Sequence, residues 1–224
     1  MSNSLSKAIE DYAKAVYALG QDRDADALVP TGEVAVRLGV TPATATAMLQ
    51  KLAELGLAEY VPYKGVALTP AGDKVALEVI RHHRLLELYL AESLDVPWDR
   101  VHAEAEVLEH VLSEELEALI AAKLGNPTVD PHGDPIPTAD LVIEERPTST
   151  LADLAAGARA TFVRISDSDP EMLRYLAERG IAPGDDFEVI DKQPFDGPTF
   201  ARFGDDVHVL GGALARAMRA EVAR

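Results

Sequence analysis

The chain has 224 residues, 47% of them hydrophobic and 26% charged, and no cysteine, which fits two or three modest globular domains and excludes disulfides, thiolate metal sites and cysteine catalysis. The net charge is −17, but residues 1–75 hold 7 Lys/Arg against 9 Asp/Glu, so a near-neutral first part is free to present a local basic face to nucleic acid. The N-terminus carries no signal-peptide pattern and no stretch offers the roughly 18 apolar residues of a membrane span, so no membrane partner and a cytoplasmic location are expected.

In chain order, KAIEDYAKAVYALG (7–20) has helical apolar spacing ended by Gly20. TGEVAVRLG follows as a short helix with Thr31 as its expected cap. VTPATATAMLQKLAELG makes a second helix, with Thr41 at the N-cap, Pro42 at the first helical position and Gly56 closing it. LAEYV and VALTP predict two strands around the turn at PYKG. Residues 72–94 read as a long helix, and 99–124 as one further helix ended by Gly125. NPTVDPHGDPIPTADLVIEERPTST is rich in Pro, Asp and Thr and predicts an irregular linker. Beyond it ARATFVRI, DDFEVIDK, PTFARF and DVHVLG alternate as strands, with MLRYLAERG a short helix among them, the pattern of a small β-barrel or sheet.

Residues 31–69 therefore predict a helix-turn-helix followed by a two-stranded wing. Ala35 and Gly39 supply the small packing residue and the turn; Leu38, Val40, Ala45, Met48, Leu49 and Leu52 supply the buried side. The outward positions are Thr41, Pro42, Ala43, Thr44, Thr46, Gln50 and Lys51. Hydroxyls and an amide suit base edges in the major groove, and Lys51 and Lys64 (at the wing tip) suit phosphate. Such a unit reads DNA as a dimer on two half-sites; the other reading is a helical hairpin that packs on a protein partner.

HAEAEVLEHVLSEELE (102–117) poses a second choice, between a solvated acidic helix and a set of metal ligands. On one helix, His102, Glu106, Glu109 and His110 share a stripe opposite an expected core face of Leu108, Leu112, Leu116 and Leu119. The preceding helix carries His83 and Glu87 one turn apart. Imidazole and carboxylate on neighbouring helices form a ligand set for a divalent first-row ion. A hydrolase using this cluster would need an open coordination position and a general base, and neither HExxH nor a separate base is present.

These residues, with RHHRLLE (81–87), VHAEAEVLEHVLS (101–113) and PHGDPIP (131–137), resemble the diphtheria toxin repressor family of metal-dependent transcriptional regulators over nearly the whole chain. The resemblance implies a mainly α fold: a winged helix-turn-helix domain (1–74), a helical metal-binding and dimerisation domain (75–145) and an SH3-like third domain (151–224). It implies a primary metal site of Asp11, Glu106, Glu109 and His110, and an ancillary site of His83, Glu87 and His102 completed by Asp169 and Glu171. Iron-responsive members place methionine where Asp11 stands and cysteine where Glu106 stands. Two carboxylates there resemble the manganese-responsive branch, and hard oxygen ligands suit Mn²⁺, with Fe²⁺ the alternative. Lys14 stands where some manganese regulators carry a second acidic residue, which disfavours their closely spaced pair of ions. The function so implied is not enzymatic: a homodimer that binds a palindromic operator in double-stranded DNA when metal is bound, repressing metal-uptake genes.

Overall fold

The structure, a computed structural model, describes residues 5–21, 23–24, 27–144, 146–166, 169–195 and 197–222. The chain divides into two compact units. The first comprises residues 1–83, 109–112 and 137–142; the second comprises 84–108, 113–136 and 143–224. Among the described residues no helix is long and apolar enough to cross a membrane.

The first unit opens with helix α1 (Lys7–Gly20), which buries Ile9, Tyr12, Ala13 and Val16 on one stripe. Helix α2 (Thr31–Arg37) has Pro30 at its N-cap, so Thr31, expected as the cap, is instead the first helical residue. Helix α3 (Pro42–Glu54) begins as its sequence predicts: the Thr41 side chain accepts from the Thr44 amide, and Pro42 sits where no N–H is needed. Ala45, Leu49 and Leu52 of α3 are fully buried with Val34 and Ala35 of α2 and the inner stripe of α1. Strands β1 (Ala58–Val61) and β2 (Gly65–Leu68) pair antiparallel as the wing. The wing is anchored by reciprocal bonds between Val29 and Val66, at 2.8 and 2.9 Å. Gly65, at φ +145°, is required there, because a Cβ would overlap the Val29 carbonyl.

Helix α4 (Pro70–Leu94) starts in the first unit and continues into the second after His83. The helix expected over 99–124 is two: α5 (Val101–Leu108) and α6 (Glu114–Lys123). Ser113 ends the intervening turn by accepting from the Leu116 amide, and Glu114, Glu115 and Glu117 fill the first turn of α6 where the helix dipole favours negative charge. The stripe 102–106–109–110 is therefore not one helical face, and residues 109–112 belong to the first unit instead. The expected core face is also overturned: Leu108, Leu116 and Leu119 are exposed, as are Val107 and Val111.

In the second unit, strands β3 (Ser149–Thr150), β4 (Arg159–Ile165), β5 (Asp186–Lys192), β6 (Thr199–Phe203), β7 (Asp206–Leu210) and β8 (Met218–Val222) form one antiparallel sheet in the order β3-β8-β4-β5-β6-β7. Helices α7 (Pro170–Ala177) and α8 (Gly212–Ala217) complete this SH3-like region, which encloses a core that includes Phe162, Ile165, Leu173, Leu176, Val189 and Leu210. The segment expected as a linker is ordered around buried Asp130, His132 and Ile136. Gly133, at φ +86°, lets it lie against β4, where a Cβ would overlap the Val163 carbonyl; beside it the Ile165 amide donates to the His132 carbonyl at 2.9 Å.

Candidate metal centre and nucleic-acid interface

Helix α1 turns its apolar stripe inward, which leaves Glu10, Asp11 and Lys14 on its flank. In the first unit these meet residues 109–112, the turn that follows α5. His110 Nδ1 lies 2.6 Å from Glu10 Oε2, a distance at which the ring N–H donates to the carboxylate. Nε2 is buried without a hydrogen-bond partner and faces Asp11 Oδ1 at 2.9 Å and Glu109 Oε1 at 3.2 Å. One imidazole nitrogen and two carboxylate oxygens therefore converge. One ligand atom from each of Asp11, Glu109 and His110 lies within 4.8 Å of the others. Imidazole nitrogen and carboxylate oxygen at that spacing fit a divalent first-row ion.

Glu109 is 1% exposed, and a carboxylate so buried must be compensated. Lys14 Nζ donates to both of its oxygens, at 3.0 and 2.8 Å, and lies 3.2 Å from His83 Nδ1. His83 Nδ1 also touches Glu109 Oε2. His82 Nδ1 donates to the Glu109 carbonyl at 3.1 Å, fixing the backbone from which the carboxylate projects. The sequence singles out Asp11, Glu109 and His110, which this unit brings together. His83, expected with the ancillary residues, stands against Glu109 and Lys14. Glu10 and His82 carry no sequence signal of their own, since each is one more polar residue beside a stronger candidate.

The remaining expected ligands lie in the second unit. His102 Nδ1 is 3.3 Å from Glu87 Oε1, and His102 Nε2 is 3.9 Å from Glu106 Oε1. Asp169 caps α7, its side chain accepting from the amides of Glu171 and Met172, and Glu171 is exposed. Neither joins a ligand cluster among the described residues.

A further cluster in the same unit groups Glu87, Asp130 and His132, all buried. His132 Nε2 donates to the Trp98 carbonyl at 2.9 Å, the two rings stack, and Nδ1 faces Glu87 Oε2 at 3.7 Å. Burial opposes charge on His132, but the adjoining Glu87 carboxylate, Asp130 and the Trp98 carbonyl outweigh it and push the pKa up to about 9. Burial, with the charges of Asp134 and Glu87, raises Asp130 well above the usual carboxylate range. Asp130 Oδ1 accepts from the amides of His132 and Asp134, at 2.8 and 2.9 Å, which closes the turn. Only the segment PHGDPIP pointed here, and it read as loop.

On the opposite side of α3, the first unit exposes Thr41, Pro42, Ala43, Thr44, Gln50 and Lys51, with Thr46 half-buried. Thr46 Oγ1 donates to the Pro42 carbonyl at 2.8 Å. Tyr63 and Lys64 stand fully outward at the wing tip, and a cleft of about 460 Å³ separates the wing from α3, lined by Thr46, Gln50, Tyr60 and Lys64 among others.

Residues 4–66 match the sequence model for the iron dependent repressor N-terminal DNA binding domain. Residues 69–138 match that for the iron dependent repressor metal binding and dimerisation domain, and 149–222 match the FeoA domain. The chain is 28% identical to the iron-dependent repressor IdeR of Mycobacterium tuberculosis, over 98% of this chain and 99% of that one. It is 40% identical to a solved manganese-dependent transcriptional repressor in complex with manganese, over 96% of this chain and all of that one, with a TM-score of 0.87. ScaR solved with bound Zn²⁺ is 27% identical over 95% of this chain and 98% of its own, with a TM-score of 0.78.

Proposed function

The chain belongs to the diphtheria toxin repressor family of metal-dependent transcriptional repressors, and we propose that manganese activates it through Asp11, Glu109 and His110. The observation that carries this is the convergence of Asp11 Oδ1, Glu109 Oε1 and His110 Nε2, one ligand atom from each lying within 4.8 Å of the others. No thiolate competes, because the chain has no cysteine, and oxygen-rich donors favour Mn²⁺ over softer ions.

The residues account for a switch. Asp11 lies on α1, whose inner stripe is packed into the same core as the inner face of α3. Glu109 and His110 lie on the turn that leaves α5. Ligands on both segments hold that turn to the DNA-reading half of the first unit, with Glu10 keeping the His110 ring oriented. Gln50 and the threonines of α3 meet base edges; Lys51 and Lys64 meet phosphate. The exposed Val107, Leu108, Leu116 and Leu119 of α5 and α6 make the dimerisation face, and a two-fold dimer reads a palindromic operator.

The test is fluorescence anisotropy with operator fragments selected from genomic DNA in the presence of Mn²⁺. Binding is expected with Mn²⁺ and lost with chelator. Equal binding in both conditions overturns the switch, and activation by Fe²⁺ at lower free concentration than Mn²⁺ reassigns the metal.

A further inference from the structure

The tip of the wing carries a residue that its own backbone disfavours. The Lys64 amide donates to the Val61 carbonyl at 3.0 Å, closing a four-residue turn with Pro62 and Tyr63 at its centre. Tyr63 takes φ +64°, the left-handed value that such a turn ordinarily gives to glycine or asparagine. A tyrosine there gains nothing from packing, because it is fully exposed. Its surroundings point to a ligand. The cleft of about 460 Å³ between the wing and α3 is lined by Thr46 and Gln50 on one side and by Tyr63 and Lys64 on the other. When the side chains of α3 meet base edges in the major groove, the sugar–phosphate strand bounding that groove occupies this cleft, beside the Lys64 ammonium. Beyond that strand lies the minor groove, about 6 Å wide, and the tip of the wing meets it with an uncharged phenol ring. Such a ring has no attraction for phosphate; it suits the groove floor, where its hydroxyl finds acceptors.

We propose that Tyr63 reads the minor groove beside each half-site, its hydroxyl donating to N3 of adenine or O2 of thymine. The operator then carries A·T pairs at that position, and G·C is disfavoured because the 2-amino group of guanine projects into the same space. The inference rests on the DNA-reading role of α3 and adds a wing residue that selects sequence, next to a lysine that answers only to charge.

The experiment uses the full-length chain loaded with Mn²⁺ and a selected operator whose flanking pairs are changed one at a time from A·T to G·C and to inosine·cytosine. The last presents the major groove of G·C without the amino group in the minor groove. Affinities are read by fluorescence anisotropy for the parent, Tyr63→Gly and Lys64→Ala. At one flanking position or more, the parent is expected to bind A·T and inosine·cytosine alike and G·C about 5-fold or more weakly. Tyr63→Gly is expected to bind all three alike, with the salt slope of the parent and a melting temperature no lower, since glycine suits the turn. Lys64→Ala is expected to keep the preference and to lose about one unit of salt slope. Should Tyr63→Gly melt below the parent, Tyr63→Asn, which also suits the turn, decides by the same comparison. A parent indifferent at every flanking position, inosine·cytosine bound as weakly as G·C, or a preference that survives the loss of Tyr63 overturns the role of Tyr63 and leaves that of α3 intact. A parent that binds no operator fragment with Mn²⁺ overturns the DNA-reading role and this inference with it.

Discussion

His110 and His132 stand in clusters of the same composition and differ in what balances them. Each ring has one nitrogen fixed by an acceptor, Glu10 for His110 and the Trp98 carbonyl for His132, and each turns its other nitrogen toward carboxylate oxygen. Around His132 the side chains of both His132 and Glu87 are 0% exposed, so the balancing charge is a proton and the pKa stands at about 9. Around His110 the Asp11 side chain is 26% exposed, so an ion can reach the converging donors from water. Ligand chemistry alone does not separate a metal site from a buried ion pair; access and charge count do.

The comparison breaks most severely at Asp11. Asp11→Ala is expected to abolish Mn²⁺-dependent operator binding in an anisotropy titration while the protein stays folded by circular dichroism; a variant that still responds to Mn²⁺ removes the assignment. In the sealed cluster the damage falls on the fold instead. His132→Ala removes the imidazolium that faces buried Glu87 and is expected to cost about 3–5 kcal/mol in urea denaturation of the metal-free protein. A loss under 1 kcal/mol would show that Glu87 is solvated or protonated there. Glu10→Gln keeps the shape but weakens the hold on the His110 ring, and Mn²⁺ affinity by calorimetry is expected to fall roughly 10–100-fold with the fold intact.

Titration sharpens the contrast further. The pKa of His132 is raised on folding from 6.5 to about 9, so its stabilisation of metal-free protein is complete below pH 6.5 and is lost as pH rises through about 9. Melting temperatures of chelated parent and His132→Gln should therefore converge toward alkaline pH, and a constant gap would contradict the protonated state. Smallest is the effect of the peripheral lysines. Lys51→Ala or Lys64→Ala should each lower the salt dependence of operator affinity by about one unit of slope, without changing sequence preference.

The DNA-reading half was largely legible in the sequence because its signals are local. Thr41 and Pro42 announce the start of α3, and Ala45, Leu49 and Leu52 repeat at helical spacing into the core. The candidate ligands were legible one residue at a time, since His and Glu one turn apart stand out, but not how they group. That depends on a helix break at 109–113, where Ser113 and three following glutamates are a stop and restart easily read as continued helix. The apolar row on α5 and α6 misled for a related reason: a stripe left exposed on a single chain has the same pattern as one that faces the core. The order of residues 126–142 was illegible because it comes from Asp130 turning back on its own backbone and from Gly133 meeting β4, neither of which is periodic. Strands β3 and β8 escaped because one is two residues long and the other follows α8 without a turn signal.

The most direct test of the central claim is the reciprocity of metal and operator. Mn²⁺ affinity is measured with and without saturating operator, and operator affinity with and without saturating Mn²⁺, for the parent and for Asp11→Ala. The account predicts one coupling factor in both directions for the parent and a factor of one for Asp11→Ala. A parent whose Mn²⁺ affinity is the same with and without operator would contradict it.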